Sequence, residues 1–544
     1  MVMMALPKNI FSLTLVAASV LTALYILTNQ IESFPLYFFC DEAINGVEAR
    51  SILQKGADSY GVSWPLFFKG YGSYHLSISV YAHAITQLIL PLSITSVRLV
   101  GVFSGIVFSL ACGGICTIVL RKRFAESASL IPVIISPLVT LSCSFFYLHF
   151  RTGFEFTLSL AAWALGLLLV AFSLESFSSS NRFREMSAAV VGSLFFSFAS
   201  FAYTPARGWV PLTIIVLALA YISRLFTKRM CFLSFVLSSL VFHLPLLYTA
   251  LTRPEIVFGR LSAMGVNSKG GFLQSINYES LSRALEVLSP LYWVNPAGPP
   301  LFESSLRHII PGLSLLSVFL APTIIVGIAC LLRNAQRSPL CLSLILLYPV
   351  GAFPASLVAI NPLRCCTIGA LLLIYAIVGC SLIVSFLAKL PSFSRLIQLL
   401  AILLFSISSF MLHSYSVTTA TKFYGDYGFY GVQYGAREVL PLAQSLLRSG
   451  SEVSLSHESF NGNERLVDFF IEKSPSPRLA IKQASDPCIL DATTSSRTWI
   501  IREERFTSFL EARELCADVN YKEISSISAP DGSIQFRVLQ LSRQ

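Results

Sequence analysis

The sequence predicts a polytopic α-helical membrane protein of about eleven transmembrane helices, followed by a C-terminal soluble α/β domain. Three observations lead to this fold class. Of 544 residues, 54% are hydrophobic and 12% charged, with a mean hydropathy of +0.69; an average soluble protein carries about 25% charge. A soluble fold has no place for so much apolar surface. Apolar runs of spanning length, about 20 residues, recur from the N-terminus to residue 413. The charges are also unevenly placed. Sixteen of the 29 acidic residues lie in 414–544, which with 14 Lys and Arg leaves that tail at −2 and the first 413 residues at +12, within an overall +10. The domains are therefore expected at 1–413 and 414–544. A disordered chain, a disulfide scaffold and a nucleic-acid partner fit this pattern poorly, because the basic excess belongs to loops beside an anionic leaflet.

Taken in order, the apolar runs are 10–28, 98–120, 127–147, 156–176, 187–204, 209–225, 231–251, 309–332, 339–360, 366–388 and 396–413. The first follows Lys8 and has no small-residue cleavage site, so it reads as a retained helix and not a signal peptide. A twelfth run, 74–92, is amphipathic and contains His75, His83 and Gln87. The distribution of Lys and Arg decides its placement. With 74–92 lying in the interface and the N-terminus inside, the inner connections and Lys8 together hold 13 Lys or Arg. If 74–92 spanned, the basic loops 121–123 and 224–229 would both move outside. Eleven spans follow, with the N-terminus inside and the C-terminal domain extracytoplasmic, or periplasmic in a Gram-negative cell. The carboxylates then fall in the outer loops or on the inner side, Glu175 standing at the inner end of run 156–176. The polar chemistry collects in outer loops 29–97 and 252–308 and in the short outer turns.

Most of the twelve cysteines lie in apolar runs and act as small hydrophobes. A Cys488–Cys516 bridge is conceivable in an extracytoplasmic tail. Within the tail, strands are expected at 452–456, 498–501, 521–528 and 533–541, with helices at 434–448, 462–471 and 504–516. Asp531-Gly532 marks a hairpin.

The chemistry-bearing residues of the membrane part are few. Loop 29–97 passes an aromatic belt and reaches Asp41-Glu42, then Lys69 and His75. Adjacent carboxylates at a membrane boundary suit a general base if partly buried, or Asp41 caps the helix that begins there. The turn HFRTGFE (149–155) offers Arg151 as a phosphate clamp, or as an anchor paired with Glu155. Arg207 in TPARGW, Arg307-His308 at the end of loop 252–308, and Arg364 in NPLR add cations on the outer side, where short turns are ordinarily poor in Arg. The short outer turns 146–155, 203–209 and 360–366 each carry one, and these three guanidiniums, Arg151, Arg207 and Arg364, with Lys69 would suit a phosphate at the membrane surface.

These pieces resemble the GT-C membrane glycosyltransferases, specifically the bacterial protein O-mannosyltransferase and aminoarabinose-transferase branch. The matching segments are CDEAINGVEAR (40–50), PLFFKGYGSYHL (65–76), HFRTGFE (149–155), SFAYTPARGWVPL (200–212), SLRHIIPG (305–312), NPLR (361–364) and FYGDYGFYGVQYGAREVL (423–440). The Lys69 region departs from the aminoarabinose-transferase pattern. The resemblance implies an inverting transferase of GT-C type that uses a polyprenyl-phosphate-linked sugar donor from the membrane lipid. The acceptor would be a glycolipid, a polysaccharide or a protein. It implies Asp41 as the base, with Glu42 and Glu155 orienting the reacting groups. Lys69, Arg151, Arg307 and Arg364 would hold the leaving phosphate, and His75, Arg207 and His308 would line the same site. Some members use a divalent cation. His149 beside Asp41 makes a poor site for one, so no metal or other cofactor is expected. The competing readings are a lipid-linked sugar flippase or exporter and a non-catalytic envelope assembly protein.

Overall fold

The computed structural model describes residues 8–543 apart from 71–72, 75–77, 122–129, 176–180, 264–277, 296–307, 358–360, 388–393, 424–433, 457–458, 460–462, 472–477, 484–495 and 515–518. His75, Arg307, Cys488 and Cys516 lie outside the described residues.

The chain opens with α1 (Lys8–Thr28). A first connecting segment holds α2 (Cys40–Lys55), a small hairpin of β1 (Lys69–Gly70) and β2 (Ser73–Tyr74), and α3 (Ile78–Ile89). Next come α4 (Ile94–Leu120), α5 (Ile131–Leu141), α6 (Ser144–His149), α7 (Glu155–Glu175), α8 (Arg182–Ala202), α9 (Ala206–Ala220), α10 (Arg224–Thr227) and α11 (Arg229–Thr252). A second long connection carries α12 (Pro254–Ala263), α13 (Tyr278–Leu288) and α14 (Pro290–Val294). The helical part ends with α15 (Ala321–Asn334), α16 (Pro339–Val350), α17 (Phe353–Leu357), α18 (Cys366–Leu387) and α19 (Ser394–Thr418).

Seven of these helices are long and apolar enough to cross a bilayer by themselves: α1, α4, α7, α8, α11, α18 and α19. The other four expected runs fold as shorter or broken helices. Run 127–147 contains Pro137 and breaks at Ser142–Cys143. Run 309–332 starts without helix around Pro311 and Gly312, the glycine at φ +77°. The two irregularities complete each other, since Phe145 N–H donates to Leu315 O at 3.0 Å and Leu316 N–H to Trp293 O at 2.8 Å. Irregular backbone among apolar helices is tolerated where protein groups satisfy it in this way. Run 339–360 stops at Val350 after Pro349. α3 has 12 residues, about 18 Å at 1.5 Å per residue, too short to span.

The main core joins residues from nearly every long helix. Glu175 and Glu185 sit at helix ends and are paired, Glu175 with Arg224 at 3.6 Å and Glu185 with Lys228 at 3.0 Å.

The C-terminal unit contains α20 (Ala436–Arg448), β3 (Val453–Ser456), α21 (Asn463–Phe470), β4 (Leu479–Lys482), β5 (Ser496–Arg502), α22 (Phe506–Glu514), β6 (Val519–Ser528) and β7 (Ile534–Arg543). Its sheet has the order β4-β3-β5-β7-β6, parallel across β4, β3 and β5 and antiparallel across β5, β7 and β6. The sheet carries helices on both faces. Ile500, Phe536 and Val538 pack with α20 and α21, while Trp499, Ile501, Leu539 and Leu541 pack with Phe509 of α22. The four expected strands are present, with β4 in addition, and the last hairpin turns at Asp531-Gly532. The first of these clusters continues into the helical part, taking in Phe38, Ala43, Val47 and Val97. α2 therefore lies between the two halves of the molecule.

Candidate active site

Two fully buried arginines shape the entry to α2. Arg151, in the turn after α6, donates to Ile26 O, Leu27 O, Asn29 O and, twice, Phe34 O. It thereby satisfies carbonyls that the C-terminal end of α1 leaves open. Its guanidinium also lies over Phe34 and Tyr147, at 5.7 and 5.4 Å. Arg98, in the second turn of α4, donates to Ile31 O (2.7 Å), Pro35 O (3.1 Å) and Tyr37 O. Together they fix the segment 26–37 that delivers the aromatic belt to α2. Arg151 is therefore a backbone brace. The expectation that it clamps a phosphate is corrected: its N–H groups point at carbonyls and the side chain has no exposed surface.

Arg98 also pairs with Glu42, Nε to Oε1 at 3.1 Å, with both side chains fully buried. Glu42 accepts in addition from Phe39 N–H (3.1 Å) and Gly153 N–H (2.9 Å). The bond to Phe39 makes Glu42, and not Asp41, the residue that closes the first turn of α2. Arg98, the Phe39 amide and the Gly153 amide thus occupy both oxygens of Glu42 and fix it in place. Gly153 is held on both sides, because its carbonyl accepts from Asn45 Nδ2 at 3.1 Å. A Cβ there would meet Val97 Cγ1 at 2.4 Å, so the close approach of the 149–155 turn to α2 and α4 requires glycine.

Asp41 is different. It stands in the first turn of α2, half-buried. Loop 29–97 contains five carboxylates. Glu32 accepts from Thr95, Glu42 and Glu48 are paired with arginines, and Asp58 accepts from the amides of Tyr60 and Val62. Asp41 alone among these five has no hydrogen bond or ion pair among the described residues.

From Phe39, two residues before Asp41, a row of rings leads across the molecule. Phe39 meets Phe154 (4.9 Å between centroids), Phe154 meets His308 (6.2 Å), His308 meets His149 (5.5 Å), His149 meets Phe156 (5.1 Å) and Phe156 meets Tyr203 (6.0 Å). His149 Nδ1 lies 2.7 Å from Phe145 O and must donate there, so its Nε2 accepts from His308 Nδ1 at 3.4 Å. Tyr203 in turn feels the charges of Arg364 and Glu155. The structure thus brings Glu42, His308, Glu155 and Arg364 along one row of rings, with Asp41 beside Glu42 in the first turn of α2.

Arg207 and Lys69 form a neighbouring group. Arg207, at the start of α9, is mostly buried over Phe67 at 5.3 Å, and its Nη1 donates to Val257 O at 2.9 Å. Its Nε and Nη2 are buried without a hydrogen-bond partner. Lys69, two residues after Phe67, is exposed with its ammonium 5.5 Å from the Tyr60 ring. Arg98, Asn45 and Gly153 escaped sequence reasoning. The one available signal was a charge, Arg98, at the very edge of an apolar run. Among the described residues no three of His, Cys, Asp or Glu converge to hold a metal ion, and the two histidines of the site bond to each other.

No protein-family model and no curated protein matches the sequence. Solved structures do. ArnT from Cupriavidus metallidurans, in the apo state, superposes with a TM-score of 0.57 at 10% identity, over 97% of each chain. The archaeal oligosaccharyltransferase AglB from Archaeoglobus fulgidus, in complex with an inhibitory peptide and a dolichol-phosphate, gives 0.52 at 12% identity, over 97% of this chain and 74% of its own. The same organism's oligosaccharyltransferase in complex with Zn and sulfate gives 0.51 at 12% identity, over 96% and 72%. The chain therefore shares its fold with ArnT and with the archaeal oligosaccharyltransferase over nearly its whole length.

Proposed function

We propose that the protein is an inverting glycosyltransferase that moves a single sugar from a polyprenyl-phosphate-linked donor to an acceptor hydroxyl at the outer face of the cytoplasmic membrane. The acceptor is a glycolipid, a polysaccharide or a protein. The observation that carries this reading is Asp41, a half-buried carboxylate without a hydrogen-bond or ion-pair partner among the described residues, on a fold shared with membrane glycosyltransferases. The basic inner loops support the orientation, with the C-terminal domain outside.

In this reading the acceptor oxygen attacks the anomeric carbon as its proton passes to Asp41. The bond from that carbon to the phosphate oxygen breaks on the opposite face, and its electron pair leaves with the polyprenyl phosphate. The configuration inverts and no covalent enzyme intermediate forms. Arg207 is the leading phosphate-binding residue, since an anion would satisfy its two buried open N–H groups. Lys69 and Arg364 assist, with Arg307 and His75 in the same role. A phosphate leaving as a cation-paired dianion needs little acid help. Glu42 holds Asp41 in place, and Glu155 and His308 line the sugar side.

The test is to supply purified protein in liposomes with a polyprenyl-phosphate sugar and a hydroxyl acceptor. The expected result is release of polyprenyl phosphate, with a product of inverted anomeric configuration by NMR. A retained configuration, or movement of intact donor between leaflets without cleavage, overturns the proposal.

A further inference from the structure

We propose that the C-terminal domain positions the reactive end of α2, and that Arg465 is the positioning residue through which it does so. This rests on Asp41 being the base.

α2 is gripped twice. Near its start the helical part holds Glu42 and Asn45 through Arg98 and Gly153. Further along, the C-terminal domain takes over. Glu48, fully buried, accepts from the Ser59 amide at 2.9 Å and from the Ser59 hydroxyl, and pairs with Arg465 Nη2 of α21 at 3.2 Å. Among the described residues Arg465 is the cation that neutralises this carboxylate. Arg465 also donates to Ser59 Oγ at 2.9 Å and pairs with Asp468 at 3.5 Å. One turn beyond Asn45, Arg50 donates to the Asp468 carbonyl at 2.8 Å. Before the helix, Phe38 packs on Phe469 and Phe470, at 4.6 and 5.7 Å.

Glu48 follows Asp41 by seven residues, which places both on one face of the helix about 10 Å apart along its axis. A buried carboxylate that loses its cation must shift towards water or gain a proton. Any rotation of α2 that relieves Glu48 turns Asp41 by the same angle. A polar contact 10 Å from the chemistry therefore sets the aim of the base.

The experiment is a double-mutant cycle in the full-length protein. Arg465→Met is expected to lower kcat by about 10- to 100-fold with the donor KM unchanged, and Arg465→Lys to recover part of it. In an Asp41→Asn background, measured by single turnover, Arg465→Met should add no further loss. Arg497→Met, which breaks the Arg497–Glu452 pair inside the C-terminal domain, should leave the rate unchanged. An equal loss from Arg465→Met in both backgrounds, or none in the wild type, overturns the proposal. Should Asp41→Asn alone keep the full rate, the base assignment fails instead. Amide exchange at 40–46 gives a readout free of turnover. It should quicken in Arg465→Met, and unchanged exchange refutes the positioning role.

Discussion

Arg98, Arg151 and Arg207 carry the same guanidinium, yet their surroundings divide them. Arg98 and Arg151 face carbonyl oxygens and one carboxylate, whereas Arg207 keeps two buried N–H groups open. Arg98→Met leaves Glu42 buried and uncompensated and is expected to cost about 3–5 kcal/mol, read as a fall in thermal midpoint. Arg151→Met should likewise lower the midpoint, and not raise the donor KM selectively. Arg207→Met is predicted to do the reverse, raising the donor KM while the midpoint holds. Sequence alone could not separate the three, because a carbonyl cage and a phosphate present the same oxygens to an arginine. His83 adds a pH dependence. Buried, with Nδ1 donating to Ser79 O and Nε2 without a geometric hydrogen bond among the described residues, it stays neutral, its pKa pulled down from 6.5 to about 4 by burial against the opposing pull of nearby backbone groups. The unfolded chain binds that proton more readily, so stability is full above pH 6.5 and declines by about 3 kcal/mol as pH falls towards 4. His83→Gln should flatten this slope in denaturation curves.

Among the elements, periodicity and length read well wherever a run is uninterrupted. Runs such as 366–388 became single helices because nothing in them breaks the backbone ladder. Where Pro137, Pro311 or Pro349 intervenes, composition still signals burial but no longer the helix ends. β4 was invisible because four residues, Leu479–Lys482, carry too little alternation to stand out. The site was legible in part. The Asp41-Glu42 dipeptide draws attention to the start of α2, but the contacts of Asn45 and Gly153 that brace it span more than 100 residues of chain. Helix contacts make a prediction of their own. A Cβ at Gly379 in α18 would meet Thr323 O of α15 at 1.9 Å, a backbone atom that cannot swing aside. Gly379→Ala should force the two helices apart and lower the thermal midpoint by more than a lipid-facing substitution such as Leu404→Ala.

At the scale of the molecule, the charges that are scarce in the sequence do most of the sorting. Arg121, Arg224 and Lys228 lie around the helix ends at Glu175 and Glu185, and α2 packs with the C-terminal domain. With the proposed orientation, a cysteine at exposed Ser449 should react with a membrane-impermeant thiol reagent added to intact spheroplasts. One at exposed Arg337 should react only after lysis. The opposite pattern would invert the topology and place the chemistry on the cytoplasmic side.

The central claim is that Asp41 takes the acceptor proton. The most direct measurement is single-turnover transfer from a polyprenyl-phosphate sugar by Asp41→Asn, alongside the donor Kd. The account predicts a rate lower by about 10²- to 10⁴-fold with donor binding and thermal midpoint unchanged. A near wild-type rate in Asp41→Asn would contradict it.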